Sequence, residues 1–225
     1  MIDNLASNIW IFDYDLTLYG EDEREVLDSL DKRISLFVQN ELGVSLDKAS
    51  LIRKKYWKEY GTTLAGLRKE HQSDPQEFFD FIHTNDALIY PRRNSQKRDL
   101  IKSLKGHRVI FTNARKDWVE AGLLSMGIAD LFEVIIDLEA VQWEGKPNIE
   151  AYKTAQELLI QEYGSQKVLS SSILYLEDSL ENLIQAKKMN WTTIHVNSKG
   201  VLAKELDYSL PNLLSLSMHL KNTSI

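Results

Sequence analysis

Two aspartates one residue apart, Asp13 and Asp15, close the apolar run Ile9-Trp10-Ile11-Phe12. If the strand continues through them, both side chains project to the same side. Carboxylates converging there repel each other unless something compensates. A hard divalent cation does so, and Mg²⁺ commonly takes one or two carboxylates together with substrate phosphate oxygens. A strand running into an Asx turn would use the same two residues without any chemistry. An EF-hand loop is excluded, because Leu18 stands where that loop needs glycine and Arg24 where it needs glutamate.

Three further groups of this kind follow apolar runs. Phe111-Thr112-Asn113 offers a hydroxyl and backbone amides. Gly145-Lys146-Pro147 offers a lysine before a helix, where proline suits the first turn and a positive helix end is near. Glu177-Asp178 is followed by Ser179 and, four residues after Asp178, by Asn182. Singly, these are ordinary turn, surface and helix-capping residues. Jointly they place two acidic pairs, a hydroxyl and a cation along one edge, which suits phosphoryl transfer, where the protein positions groups and stabilises charge.

The elements that must carry these residues are short apolar runs at 8–13, 108–113, 132–137, 172–178 and 192–197. Continuous apolar runs of this length suit strands covered on both faces. Between them, Tyr152, Ala155, Leu158 and Leu159, and again Leu180, Leu183 and Ile184, recur at helical spacing. Strand–helix alternation predicts an α/β fold with a doubly wound parallel sheet. The interval between the first two strands is far too long for a crossover and reads as helix. Val26, Leu27, Leu30, Ile34, Phe37, Val38 and Leu42 form one stripe, and further helices are expected near 47–59, 61–70 and 75–83. Residues 20–90 are therefore expected to be an inserted helical domain on a core of 1–19 and 91–225. Tyr19-Gly20 and Tyr90-Pro91 are its candidate hinges, and an insertion at a strand's carboxyl end would hang over the ligand crevice.

The ordered set Asp13-Tyr14-Asp15-Leu16-Thr17, Thr112, Lys146 and Glu177-Asp178 resembles the four motifs of the haloacid dehalogenase (HAD) superfamily of phosphohydrolases, over essentially the whole chain. The inserted helices match that superfamily's cap. The segment "EYGTTLAGLRKEHQSDPQEFFDFIH" (59–83), with "FDYDLTLYG" and "IFTNA", is similar to the pyrimidine 5′-nucleotidase branch. The resemblance implies a Mg²⁺-dependent phosphomonoesterase acting on pyrimidine nucleoside 5′-monophosphates through an aspartyl-phosphate. It makes Asp13 the nucleophile and Asp15 the general acid and base. Mg²⁺ would lie on Asp13, the Asp15 carbonyl and Asp178, with Glu177 and Asn182 behind them. Thr112, amides around Asn113, and Lys146 would hold the phosphate; Tyr60, Thr62, Thr63 and His83 are candidates to meet the base or ribose. A Glu-Asp final pair also occurs in sugar-phosphate phosphatases and β-phosphoglucomutases, the alternative enzyme reading. A HAD-fold binding protein without activity is a third.

Composition agrees with a small-molecule enzyme. The net charge of −6 argues against nucleic acid as a partner. No run approaches the roughly 18 apolar residues of a membrane span. The N-terminus lacks the charged and apolar regions of a signal peptide. With no cysteine there is neither disulfide nor thiolate metal site. The expectation is a cytoplasmic monomer or weak homodimer.

Overall fold

The computed structural model describes residues 1–5, 8–83, 88–166, 168, 173–196 and 203–220. Two expected strands touch the remainder: Ser172 and Asn197, at the start of one and the end of the other, lie outside the described residues. Among the described residues six strands form one parallel sheet. They are β1 (Ile9–Phe12), β2 (His107–Phe111), β3 (Val134–Ile136), β4 (Ile173–Glu177), β5 (Thr192–Val196) and β6 (Tyr208–Leu210), in the order β3-β2-β1-β4-β5-β6. This is the doubly wound order expected, with one strand more. β6 has only three residues and pairs with β5 at the sheet's edge, so no long apolar run announces it.

β1 sits at the centre and all four of its residues are buried. It pairs Ile9 with His107 on one side and with Ile173 on the other. The pairing continues one residue beyond the strand, where the Asp13 amide donates to the Leu176 carbonyl at 2.9 Å. In the same way the Thr112 amide donates to Ile136 at 3.0 Å. Asp13 and Thr112 are thus held at the carboxyl edge by sheet bonds.

Helices α1 (Glu25–Leu42), α2 (Leu46–Tyr60), α3 (Thr63–His71) and α4 (Pro75–His83) lie between β1 and β2. The stripe foreseen on α1 is their core: Val26, Leu30, Phe37 and Val38 are buried, and Phe37 meets Phe78 edge-on at 5.1 Å. Helix α5 (Ser95–Ser103) precedes β2 and has no counterpart in the sequence reading; its polar sequence has only Leu100 and Ile101 as an apolar patch, with Asn94 capping Lys97 N at 3.0 Å. The remaining helices, α6 (Lys116–Met126), α7 (Ile149–Tyr163) and α8 (Leu180–Lys188), alternate with strands as expected.

Candidate active site

The carboxyl ends of β1, β2 and β4 converge on one ammonium group. Lys146 Nζ lies 2.8 Å from Asp13 Oδ1, 2.8 Å from Glu177 Oε2, 2.8 Å from the Tyr175 hydroxyl and 2.9 Å from the Phe111 carbonyl. Lys146 is 2 % exposed. It reaches this position because Asn113 braces its loop: Asn113 Nδ2 donates to the Lys146 carbonyl at 2.9 Å, and the Lys146 amide donates to Asn113 Oδ1 at 2.7 Å. The Asn113 side chain is therefore committed to holding Lys146. The proline is also placed differently from expectation. Asn148 caps α7, whose first residue is Ile149, so Pro147 precedes the cap and Lys146 points across to Asp13 instead of joining the helix end.

Three carboxylates, those of Asp13, Glu177 and Asp178, offer oxygens within 4.8 Å of one another. Glu177 takes most of the compensation available. Its Oε2 accepts from Lys146 and from Tyr175, and its Oε1 accepts from the Ser179 amide at 3.1 Å. Burial alone would raise its pKa, but Lys146 and Tyr175 outweigh burial and hold it below the usual value. Asp13 and Asp178 fare differently. Burial, then the charge of Glu177, pushes Asp13 up to about 7 despite Lys146. Burial, then Glu177 and Asp13, pushes Asp178 up to about 9. Burial also opposes the Lys146 ammonium, yet the two facing carboxylates keep its pKa above normal. One lysine thus contacts two of three clustered acids, and this surplus of hard oxygen ligands fits a divalent cation of the Mg²⁺ type. Asp13 and Asp178 would hold it, with Glu177 committed behind them.

Asp15 stands apart from this cluster, which corrects the expectation of alternate projection along one strand. β1 ends at Phe12, and a turn follows in which the Leu18 amide donates to Tyr14 at 3.0 Å and Leu16 adopts φ 60°. The turn carries Asp15 Oδ1 to two donors, the Tyr19 hydroxyl and, at 3.4 Å, Trp118 Nε1. Burial raises the Asp15 pKa against the opposing effect of those two bonds. Tyr14 can pack beneath because Gly122 of α6 leaves room: a Cβ there would lie 1.6 Å from the Tyr14 hydroxyl oxygen. Thr112 is buried, and its Oγ1 accepts from the Ala114 amide at 3.0 Å, which leaves the hydroxyl proton free to be directed elsewhere.

The candidates on the inserted helices separate. Tyr60 donates to Glu70 at 2.6 Å. Thr62 caps α3 at the Ala65 amide, and the buried Thr63 hydroxyl donates to the Arg53 carbonyl at 3.3 Å. Among the described residues, none of these three side chains bonds to a motif residue. His83 does approach the site: its ring stacks on Trp118 at 5.7 Å and 17°, and its Nδ1 lies 2.9 Å from Asp117 Oδ1. Asn182, in the first turn of α8, has its carbonyl bonded by the Tyr152 hydroxyl at 2.8 Å. Sequence reasoning missed Tyr175, Trp118 and the hydroxyl of Tyr19. Tyr175 alone carried a signal, since it lies two residues before Glu177 on the same face of β4.

A parallel sheet with a buried lysine and acidic residues at its carboxyl edge is an arrangement that a hydrolase of the HAD type would use, and sequence similarity gives the family. The chain belongs to the haloacid dehalogenase-like hydrolases, whose family description matches residues 10–196. It is 31% identical over 139 residues to Phosphate metabolism protein 8 of Saccharomyces cerevisiae; the match covers 58% of this chain and 43% of that protein, less than half its length. Among solved structures, a dehalogenase with an intermediate complex superposes with a TM-score of 0.61 at 18% identity, covering 99% of this chain and 100% of the other. The HAD hydrolase YfnB of Bacillus subtilis, bound to magnesium, gives 0.61 at 18% identity, covering 94% and 97%. At that identity the two structures share the fold alone.

Proposed function

We propose that the protein is a Mg²⁺-dependent phosphomonoesterase acting on pyrimidine nucleoside 5′-monophosphates through a covalent aspartyl-phosphate. The observation that carries the reading is the Lys146 ammonium, held 2.8 Å from both Asp13 and Glu177, with Asp178 completing the acidic triplet. An Asp13 oxygen attacks phosphorus, the bond from phosphorus to the ester oxygen breaks, and that oxygen takes a proton from Asp15 and leaves as the alcohol. Water then attacks the aspartyl-phosphate, giving its proton to Asp15 and its hydroxyl to phosphorus. Inorganic phosphate leaves and the Asp13 carboxylate is restored. Lys146 and Thr112 bind phosphate oxygens, with backbone amides near Asn113. A bound Mg²⁺ neutralises phosphate charge that would otherwise repel the nucleophile.

Asp15 favours phosphate esters over organohalides, since a departing halide needs no proton whereas an alkoxide does. Residues 20–90 act as the cap in this reading. Several contacts join these helices to loops at the sheet's carboxyl edge. A Cβ on Gly61 would meet Pro147 Cδ at 2.8 Å, Arg68 donates to the Trp143 carbonyl at 3.0 Å, and Phe79 stacks on Trp143 at 5.9 Å. Arg115 also reaches Asp80 at 2.7 Å. The nucleotide assignment rests on the similarity of 59–83 to the pyrimidine branch. It is tested by phosphate release with Mg²⁺ from UMP, CMP, dUMP, dTMP, AMP, GMP and sugar phosphates, with Asp13→Asn as control. Selective hydrolysis of the pyrimidine nucleotides is expected. Preference for sugar phosphates would overturn the substrate while keeping the chemistry, and no turnover of any ester would overturn the enzyme reading.

A further inference from the structure

The two donors on Asp15 come from different parts of the chain. Tyr19 lies in the segment after β1, and Trp118 lies in the first turn of α6, yet both address Oδ1 and neither touches Oδ2. The Tyr19 side chain is fully buried and Trp118 is 1 % exposed, so little water competes for that oxygen. The 3.4 Å indole bond is long for an N–H donor, which makes the tyrosine the stronger of the two. The indole is itself fixed by two rings from the C-terminal end of the insertion: His83, at the end of α4, stacks at 5.7 Å, and Tyr90 lies at 5.1 Å. His83 is anchored in turn by Asp117, which accepts from Arg115 as well.

A carboxylic acid with both donors on one oxygen has that oxygen fixed as acceptor, so its proton resides on the other. We infer that Tyr19 and Trp118 are positioning residues for the general acid, making Asp15 Oδ2 the oxygen that delivers the proton to the leaving alkoxide. His83 supports them by holding the indole in place. This rests on the phosphomonoesterase reading and extends it to residues outside the four motifs. It also sets a substrate class. The pair matters for esters of poor leaving groups, such as the primary alcohol of a nucleoside 5′-phosphate, and much less for aryl esters whose leaving oxygen departs without a proton.

The test compares kcat/KM, which reports steps through cleavage of the ester bond, for p-nitrophenyl phosphate and for UMP. It is applied to the full chain, Asp15→Asn, Tyr19→Phe and Trp118→Phe, each checked for folding by circular dichroism. Tyr19→Phe removes only a hydroxyl and keeps the test open should the tryptophan variant misfold. Asp15→Asn is expected to lower the UMP-to-aryl ratio by about a hundredfold, and each positioning variant by about tenfold. If Asp15→Asn shifts the ratio while both positioning variants lower the two substrates equally, the inference is overturned and the acid role stands. If Asp15→Asn itself leaves the ratio unchanged, the acid role fails and the inference falls with it. Alkyl esters other than UMP serve equally should the pyrimidine assignment prove wrong.

Discussion

Replacing Lys146 with methionine removes the ammonium that pairs with both Asp13 and Glu177 while filling similar volume. Breaking a buried ion pair by removing one partner costs about 3–5 kcal/mol, because the other charge is left uncompensated. Against a total stability of about 5–15 kcal/mol the variant still folds, but with little margin. For a domain of this size each kcal/mol shifts Tm by about 2–4 °C, so the loss should be about 6–20 °C. The penalty also has a definite pH dependence. In the native protein Glu177 sits below its usual pKa, and this contributes stability that is lost as pH falls through the carboxylate range. Without Lys146, burial and the neighbouring acids raise the Glu177 pKa instead, so its charged form destabilises at neutral pH and protonation relieves the cost. The gap in Tm between native and variant protein should therefore shrink between about pH 8 and about pH 5. Adding Glu177→Gln to the variant should recover part of the loss. The assay is thermal unfolding by circular dichroism with chelator present. A gap of a degree or two, or one that does not change with pH, would refute the reasoning.

Other perturbations have equally definite outcomes. Asp13→Asn should abolish turnover while leaving metal-free Tm unchanged or higher, because it removes one like charge from a crowded site; wild-type-like activity would sink the mechanism. Mg²⁺ should raise Tm, and more so at higher pH, since Asp178, pushed up to about 9 without metal, must lose its proton to act as a ligand; a Tm rise independent of pH, in parallel melts at several pH values, would argue against Asp178. Gly122→Ala should destabilise by about 1–3 kcal/mol, because the new Cβ collides with the buried Tyr14 hydroxyl. That is read as a shift in urea midpoint, and an unchanged midpoint would show that Tyr14 moves aside.

The parts of the fold carried by long apolar runs were legible beforehand. β1, β2 and β4 carry apolar runs because both faces of a central parallel strand are covered, and each run gives way at its carboxyl end to a polar residue, Asp13, Thr112 or Glu177, that names its place in the site. β6 and α5 were not legible. Three residues paired with β5 at an edge have no periodicity to read, and α5 owes its place to packing of a short patch, not to an amphipathic stripe. Within the site, the four motifs gave Asp13, Thr112, Lys146 and Asp178 their neighbourhood. They could not give Asn113 its bracing role, which depends on a loop 33 residues away. Nor could strand alternation describe Asp15, because the chain had already entered a turn. Trp118 lies 103 residues from Asp15, and the packing of α6 against the turn after β1, where Gly122 meets Tyr14, brings the two together.

The most direct test of Asp13 as nucleophile is a single-turnover acid quench with ³²P-labelled UMP, or whichever ester proves active, in Mg²⁺. The expected result is transient label on the peptide containing Asp13, removed by hydroxylamine and absent from Asp13→Asn. Phosphate release with no protein-bound label, or label that persists in Asp13→Asn, would contradict it.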